Sequence, residues 1–288
     1  MVMGPTHAAS GALGWLVAVA FFGTVFTVFQ TESLIVILLG MFITAGASLA
    51  PDIDSHSSTI TRSFGPVTRG LHALVDSLSV GVYNMTKTRY DSKRENGHRT
   101  LFHTPLVAAI IGLAVSLAVS LPGSIDMLGK TYTWGQIAVL LVSFVFTYWA
   151  FLGLFPNETK KGRKKWGFIV PIIFSFIFNA SLLLLLPTGE TYVWMGPAIA
   201  FGWFIHLLGD AITKLGVPLM FPFKWRGKRW WDVTLPAVMR IKAGGTFEKV
   251  VLLPAFTVGI VLMWLYILGS DLVSRVPGGV SGILDTFS

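Results

Sequence analysis

"SLIVILLGMFITAGASLAPDIDSHSS", residues 33–58, decides the fold. Residues 33–50 carry no charge and alternate with no period. As a helix they reach about 27 Å, close to the roughly 30 Å of a bilayer's hydrocarbon core. Lipid offers backbone groups no partners, so a spanning run of this kind closes its own hydrogen bonds as a helix. The run then meets Pro51 and two aspartates two residues apart. Two readings of "PDID" stand side by side. Pro51 ends the helix and the aspartates are solvated, or Asp52 and Asp54 serve a site at the membrane edge.

Working outward, six more apolar stretches of this kind follow: 9–29, 105–121, 135–155, 167–187, 194–214 and 249–269. The whole chain agrees with them. Of 288 residues, 53% are hydrophobic and 12% charged, against about 25% charged in a soluble domain. Mean hydropathy is +0.69. The expected fold class is all-α: a polytopic integral membrane helical bundle of about seven transmembrane helices. The N-terminal run lacks the Lys or Arg that opens a secretory signal and is too long for one, so it reads as a retained first helix. There is no cysteine, which excludes disulfides and thiolate metal sites.

Charge sorts the connections. Placed on that topology, all but Lys130 and Arg275 of the 22 Lys and Arg fall on one side. The positive-inside rule makes that side cytoplasmic, with the N-terminus inside and the C-terminus on the opposite side of a cell's inner membrane. The net charge of +8 follows from these loops, and nucleic acid is not the expected partner. In the long cytoplasmic loop, 51–104, Val67, Leu71, Leu74, Val75, Leu78 and Val82 recur at helical spacing after Pro66. This reads as an amphipathic helix lying on the membrane or on the bundle, with His72 and Asp76 as a surface pair. Two parts are expected: a membrane-embedded core, 1–223, and a segment, 224–288, holding a basic Trp-rich stretch, the final helix and a short tail. In that stretch Trp225, Trp230 and Trp231 alternate with Lys224, Arg226, Lys228 and Arg229, and its simplest role is anchoring at the interface.

The ionisable residues gather on the same side. His7 opens the first helix, "PDIDSHSS" closes the second, and "HRTLFHT" (98–104) precedes the third. In "FGWFIHLLGDAIT", His206 and Asp210 share a helix face inside apolar sequence, where ionisable groups are costly and mark function. Asp210 also sits near a helix C-terminus, where the macrodipole disfavours an anion. A metal ion is the expected counter-charge, with Lys214 as the plain alternative. His98 and His103 are five apart, about 140° around a helix, so they do not form a helical pair. A turn between them, with Thr104 as N-cap and Pro105 in the first helical turn, aims both at one centre.

These blocks resemble the membrane-bound, metal-dependent hydrolases, the LexA-regulated inner-membrane hydrolases of bacteria. The pattern is an early His in the first helix, Pro-Asp-x-Asp followed by Ser, His-Arg-x-x-x-His-Ser/Thr, and His-x-x-x-Asp-x-x-Thr-x-x-Gly leading to Pro-Phe. Here it reads "THAASG", "PDIDSHSS", "HRTLFHT" and "HLLGDAITKLGVPLMFPF", in that order, between residues 6 and 223. The loop between the second and third blocks is longer than the resemblance leads one to expect.

The resemblance implies a metal-dependent hydrolase. The expected metal ligands are His7, Asp52, Asp54, His98, His103, His206 and Asp210, around one or two divalent ions. Zinc is the first choice, with manganese, iron and nickel as alternatives. Asp54, Asp52 and Arg99 are the expected catalytic groups, with Thr213 and His56 in outer contact. The expected substrate is an amphiphilic or phosphate-bearing molecule, a phosphoester lipid first, reached from the membrane lipids around the site. The competing classes are an ion or proton transporter and a non-catalytic, metal-stabilised membrane protein. The sequence names neither the substrate nor the oligomeric state.

Overall fold

The computed structural model describes residues 3–23, 33–94, 96–127, 130–155, 166–185 and 192–275. Eight α-helices run along them: α1 (Gly4–Phe22), α2 (Leu34–Ala47), α3 (Pro66–Thr86), α4 (Pro105–Ala118), α5 (Trp134–Leu154), α6 (Trp166–Leu185), α7 (Met195–Ala211) and α8 (Leu253–Arg275). Each of the seven apolar stretches holds one helix among the described residues, and α3 is the amphipathic extra. The count of seven spans is not met at full length among the described residues. Four helical stretches are long and apolar enough to cross a bilayer: Gly4–Phe22, Leu34–Asp54, Trp134–Leu154 and Glu248–Ser270. The third stretch forms only the 14-residue α4, about 21 Å long and so shorter than a hydrocarbon core. The sixth forms the 17-residue α7, and α6 has an apolar body at Ile169–Leu182 with Pro171 inside it.

The predicted first span also shifts. Its helix begins at Gly4, with Pro5 in the first turn, and the predicted end at residue 29 lies outside the described residues. Past α2 the chain tightens into a 3-10 turn, Ala50–Asp54, with Pro51 at its start. Proline is tolerated there because the first-turn N–H has no helical partner. Pro51 therefore continues the coil by one narrow turn, and all five residues of that turn are buried.

α2 is the axis of the bundle, in contact with α1, α5 and α7. Its hydrophobic residues run all round, which suits a helix covered on every side. α8 is as apolar but packs mainly on α1 and leaves nearly all its described residues outside the core, where lipid would cover them. Trp15 on α1 donates its indole N–H to Ile37 O on α2 at 3.0 Å. α4 meets α7 at two glycines: a Cβ on Gly196 would stand 2.1 Å from Gly112 O. Small residues at such crossings let backbones touch in place of side chains.

A feature not foreseen from sequence joins α4 to α5. Strand β1 (Ser124–Met127) pairs antiparallel with β2 (Lys130–Thr133), Ser124 opposite Thr133. Thr133 then caps α5 reciprocally with Gln136. At the other end, α5 supports the turns around the site. Tyr148 donates to Ser63 O at 3.0 Å, and Trp149 donates to Ser63 Oγ at 3.1 Å.

Candidate metal centre

Four separate pieces of chain deliver the site. α1 brings His7 in its first turns, and the 3-10 turn after α2 brings Asp52 and Asp54. A second 3-10 turn, Leu101–His103, brings His103, and α7 brings His206 and Asp210. Thr104 caps α4 by accepting from Val107 N, with Pro105 at the first position, as expected. Arg99 adopts φ 55°, a left-handed conformation uncommon for a residue with a Cβ. That single reversal turns the chain between His98 and His103, and both rings reach Asp54.

Asp54 is saturated. Its Oδ1 lies 2.8 Å from His98 Nδ1, and its Oδ2 accepts from His103 Nδ1 at 3.0 Å and from Arg99 N–H at 3.0 Å. The proton on His103 Nδ1 is thereby fixed, because a carboxylate can only accept. His206 Nδ1 faces Ser48 O at 2.8 Å, which fixes its proton in the same way. Each ring turns its Nε2 inward, and the two Nε2 atoms stand 3.1 Å apart. Two lone pairs at that distance repel, so a proton or a metal ion belongs with them.

Two carboxylates close the cage. Asp210 Oδ2 lies 3.5 Å from His103 Nε2 and 3.7 Å from His206 Nε2. Asp52 Oδ1 lies 4.0 Å and 3.8 Å from the same two atoms. Donors on one tetrahedral zinc, each about 2.0–2.2 Å from it, are separated by about 3.3–3.6 Å. His103, His206 and Asp210 match that within a few tenths of an ångström, and Asp52 forms a second candidate ligand group with His7 and the same His206. Asp52 Oδ1 is buried and has no hydrogen-bond partner among the described residues. Both ring nitrogens of His7 are in the same position. His7 stacks on His206 with ring centroids 3.9 Å apart, and its Nε2 is 3.6 Å from Asp210 Oδ1. Gly209 leaves it room, since a Cβ there would press to 3.0 Å from the imidazole. Buried polar atoms ordinarily find partners. A divalent cation would supply one for Asp52 Oδ1 and for one ring nitrogen of His7 at most, and imidazoles with carboxylates suit zinc.

The predicted ligands thus divide. His7, Asp52, His103, His206 and Asp210 converge. Asp54 and His98 also lie within ligand distance of His103, but the three are already joined by hydrogen bonds. Asp54 has the geometry of a carboxylate that orients a metal-bound histidine. His56 is exposed, and among the described contacts its ring meets His72 at 5.7 Å, not a ligand side chain. Its expected place in outer contact is corrected accordingly.

The side-chain cation beside Asp210 is Arg99, not Lys214. Lys214 is exposed, while the buried Arg99 guanidinium stands 2.7 Å from Asp210 Oδ1. Arg99 also donates to Thr213 Oγ1 at 3.0 Å and Gly216 O at 3.2 Å. Thr213 in turn donates to Asp210 O at 2.7 Å.

Sequence reasoning missed several supports. His72 and Asp76 are no surface pair: His72 Nδ1 donates to Ile53 O at 2.8 Å, and Asp76 accepts from Gly97 N at 2.8 Å. Ser48 works through its backbone carbonyl, which no residue type announces. Farther out, Arg94 donates to both oxygens of Asp232 at 2.6 and 2.7 Å and to Arg99 O at 2.8 Å. Burial pushes the Asp232 carboxyl up, and Arg94 pulls it back. Beside that pair lies a pocket of about 500 Å³, lined by Met220, Trp225, Trp231, Val233, Thr234 and Arg240 with Asp232. Of "FPFKWRGKRWW", the lining takes two tryptophans and none of the cations.

The YdjM inner membrane protein family matches residues 1–155 of the 288. His7, Asp52, Asp54, His98, Arg99 and His103 lie within the match, while α7 with His206 and Asp210 lies beyond it. No curated protein and no solved structure matches the chain.

Proposed function

The chain belongs to the YdjM inner membrane protein family, and on that premise we propose that it is a membrane-bound, metal-dependent hydrolase. The observation that carries this reading is the cage itself: His103 and His206 Nε2 at 3.1 Å, with Asp210 and Asp52 oxygens 3.5–4.0 Å from them. The ion would be held by Asp52, His103, His206 and Asp210, with His7 at its edge. When bound, it supplies Lewis acidity at neutral pH.

The chain's own residues prepare the rest. Asp54 and Ser48 O keep the Nδ1 protons in place, so both imidazoles present Nε2 as a neutral donor. Arg99 offsets Asp210, so that the cage does not hold two uncompensated carboxylates. One ion with Asp54 as orienting residue accounts for more of the hydrogen bonds than two ions do. An amphiphilic ester or phosphoester is the substrate class, because the apolar helices and the Trp-lined pocket meet lipids first. We place the N-terminus and the basic loops in the cytoplasm.

The test is metal analysis of purified protein beside His103→Ala and Asp210→Asn variants, with a hydrolysis screen over phospholipids and model phosphoesters. Stoichiometric zinc lost in both variants, together with turnover that follows the metal, supports the reading. Well-folded protein without metal sinks it. One observation favours a second reading, a stabilising metal with no turnover. His7, His103, His206 and Asp210 are all at most 1% exposed, as in a closed structural site. Metal bound without turnover would select it.

A further inference from the structure

α3 has three flanks where an ordinary surface helix has two. With about 100° between successive residues, Thr68, Val75, Ser79 and Tyr83 fall on one flank, and all four are buried against the protein. Val67, Leu71, Leu74, Leu78 and Met85 fall on a second flank, about 100° away. All five are exposed, from 42% for Leu71 to 86% for Met85. Arg69, Ser77 and Asn84 make a third, exposed and polar. A helix packed by its apolar stripe would bury that second flank. Here the protein-facing flank is half polar and is held by hydrogen bonds, while the ridge of large apolar side chains faces away.

We propose that this ridge is a bilayer-docking face: α3 lies in the membrane interface with Val67, Leu71, Leu74, Leu78 and Met85 among the lipid chains. The protein then covers one flank, lipid the second and water the third. The occupant is a lipid surface for two reasons. α3 packs on the turns where the chain leaves α2 and enters α4, which is where those apolar runs stop. The exposed cations on and just after it, Arg69, Lys87, Arg89 and Lys93, complement anionic headgroups.

The docked helix also holds the candidate site. His72 bonds to Ile53 O, between Asp52 and Asp54, and Asp76 bonds to Gly97 N, next to His98. Lipid docking of α3 therefore sets the two ligand-bearing turns at the membrane surface, whichever chemistry the site performs.

The absence of cysteine makes the test direct. Leu71→Cys, Leu74→Cys and Leu78→Cys, with Ser77→Cys and Asn84→Cys as the water flank, are labelled with an environment-sensitive fluorophore. The full chain is placed in nanodiscs of phosphatidylethanolamine and phosphatidylglycerol. Labels at 71, 74 and 78 are expected to lose fluorescence to doxyl-labelled lipid and to emit at shorter wavelength. Labels at 77 and 84 are expected to lose it to aqueous iodide. Iodide quenching at 71, 74 and 78 overturns the proposal, and so does protection from both quenchers, which would mean that protein covers the ridge. Zinc content does not enter this readout, so the metal reading can fail separately.

Discussion

Asp54 accepts three hydrogen bonds, from His98, His103 and the Arg99 amide, and no amide side chain can replace it. Asn offers one acceptor oxygen and would turn its NH₂ toward one of those donors. Asp54→Asn is therefore expected to lower metal affinity by about 10–100-fold, the usual cost of losing a carboxylate behind a ligand histidine. Competition against a calibrated chelator checks this, with circular dichroism confirming an unchanged helix content. Arg99 carries a different load. Arg99→Ala strips Asp210 of the cation at 2.7 Å, and breaking a buried pair from one side costs about 3–5 kcal/mol. Denaturation in detergent with chelator should show that loss, and added zinc should reduce it. Equal losses with and without zinc would mean that no ion sits beside Asp210. At this scale the sequence was a good guide to which residues gather, because ionisable groups in apolar sequence need a reason. It did not separate ligand from orienter. That distinction lies in which oxygen faces which nitrogen, and it depends on the left-handed Arg99 and on a backbone carbonyl at Ser48.

The site exists only while its elements keep their spacing. α4 follows His103 directly and touches α7, which carries His206, at Gly112 and Gly196. Gly196→Leu would push these helices apart, since even a Cβ meets Gly112 O at 2.1 Å. Metal occupancy should fall sharply in this variant. Gly70→Ala, with nothing within 4 Å, should leave occupancy unchanged. Another element responds to pH. Asp91 accepts from the backbone N–H groups of Thr88, Arg229 and Trp230, tying the segment after α3 to the Trp-rich loop. Burial opposes ionisation, but those donors win and hold its carboxyl below the ordinary value. A lowered pKa means stability that is present above the unfolded value and lost as pH falls through the folded one. Hydrogen exchange of the Arg229 and Trp230 amides, corrected for the intrinsic rate, should accelerate on acidification in the native chain. In Asp91→Ala it should be fast throughout. The long helices were legible because apolar runs in lipid have no other backbone solution. The β1–β2 hairpin was not, as two four-residue strands leave too little pattern to read.

For the whole molecule, membrane residence follows from composition and family alike, whereas orientation rests on charge. The seven helices were readable as apolar runs, yet their lengths were not. α4 stops at Ala118, shortly before Pro122 and Gly123. Charge asymmetry gives a sharper expectation. The connection from α4 to α5 carries Lys130 as its one cation, and the loop after α7 carries Lys214, Lys224, Arg226, Lys228, Arg229, Arg240, Lys242 and Lys249. Translocating the second loop would move eight cations against the positive-inside bias, and the first only one. Because α4 begins and α7 ends at the candidate metal site, this assignment also decides which compartment that site faces. Ser124→Cys and Lys224→Cys both lie on exposed residues and, in a chain without cysteine, each is the sole thiol. In spheroplasts a membrane-impermeant maleimide should label Ser124→Cys at once and Lys224→Cys only after lysis. Inverted inner-membrane vesicles should show the reverse order. If Lys224→Cys is labelled in intact spheroplasts, the cage faces the periplasm, and the search for a substrate moves to that side.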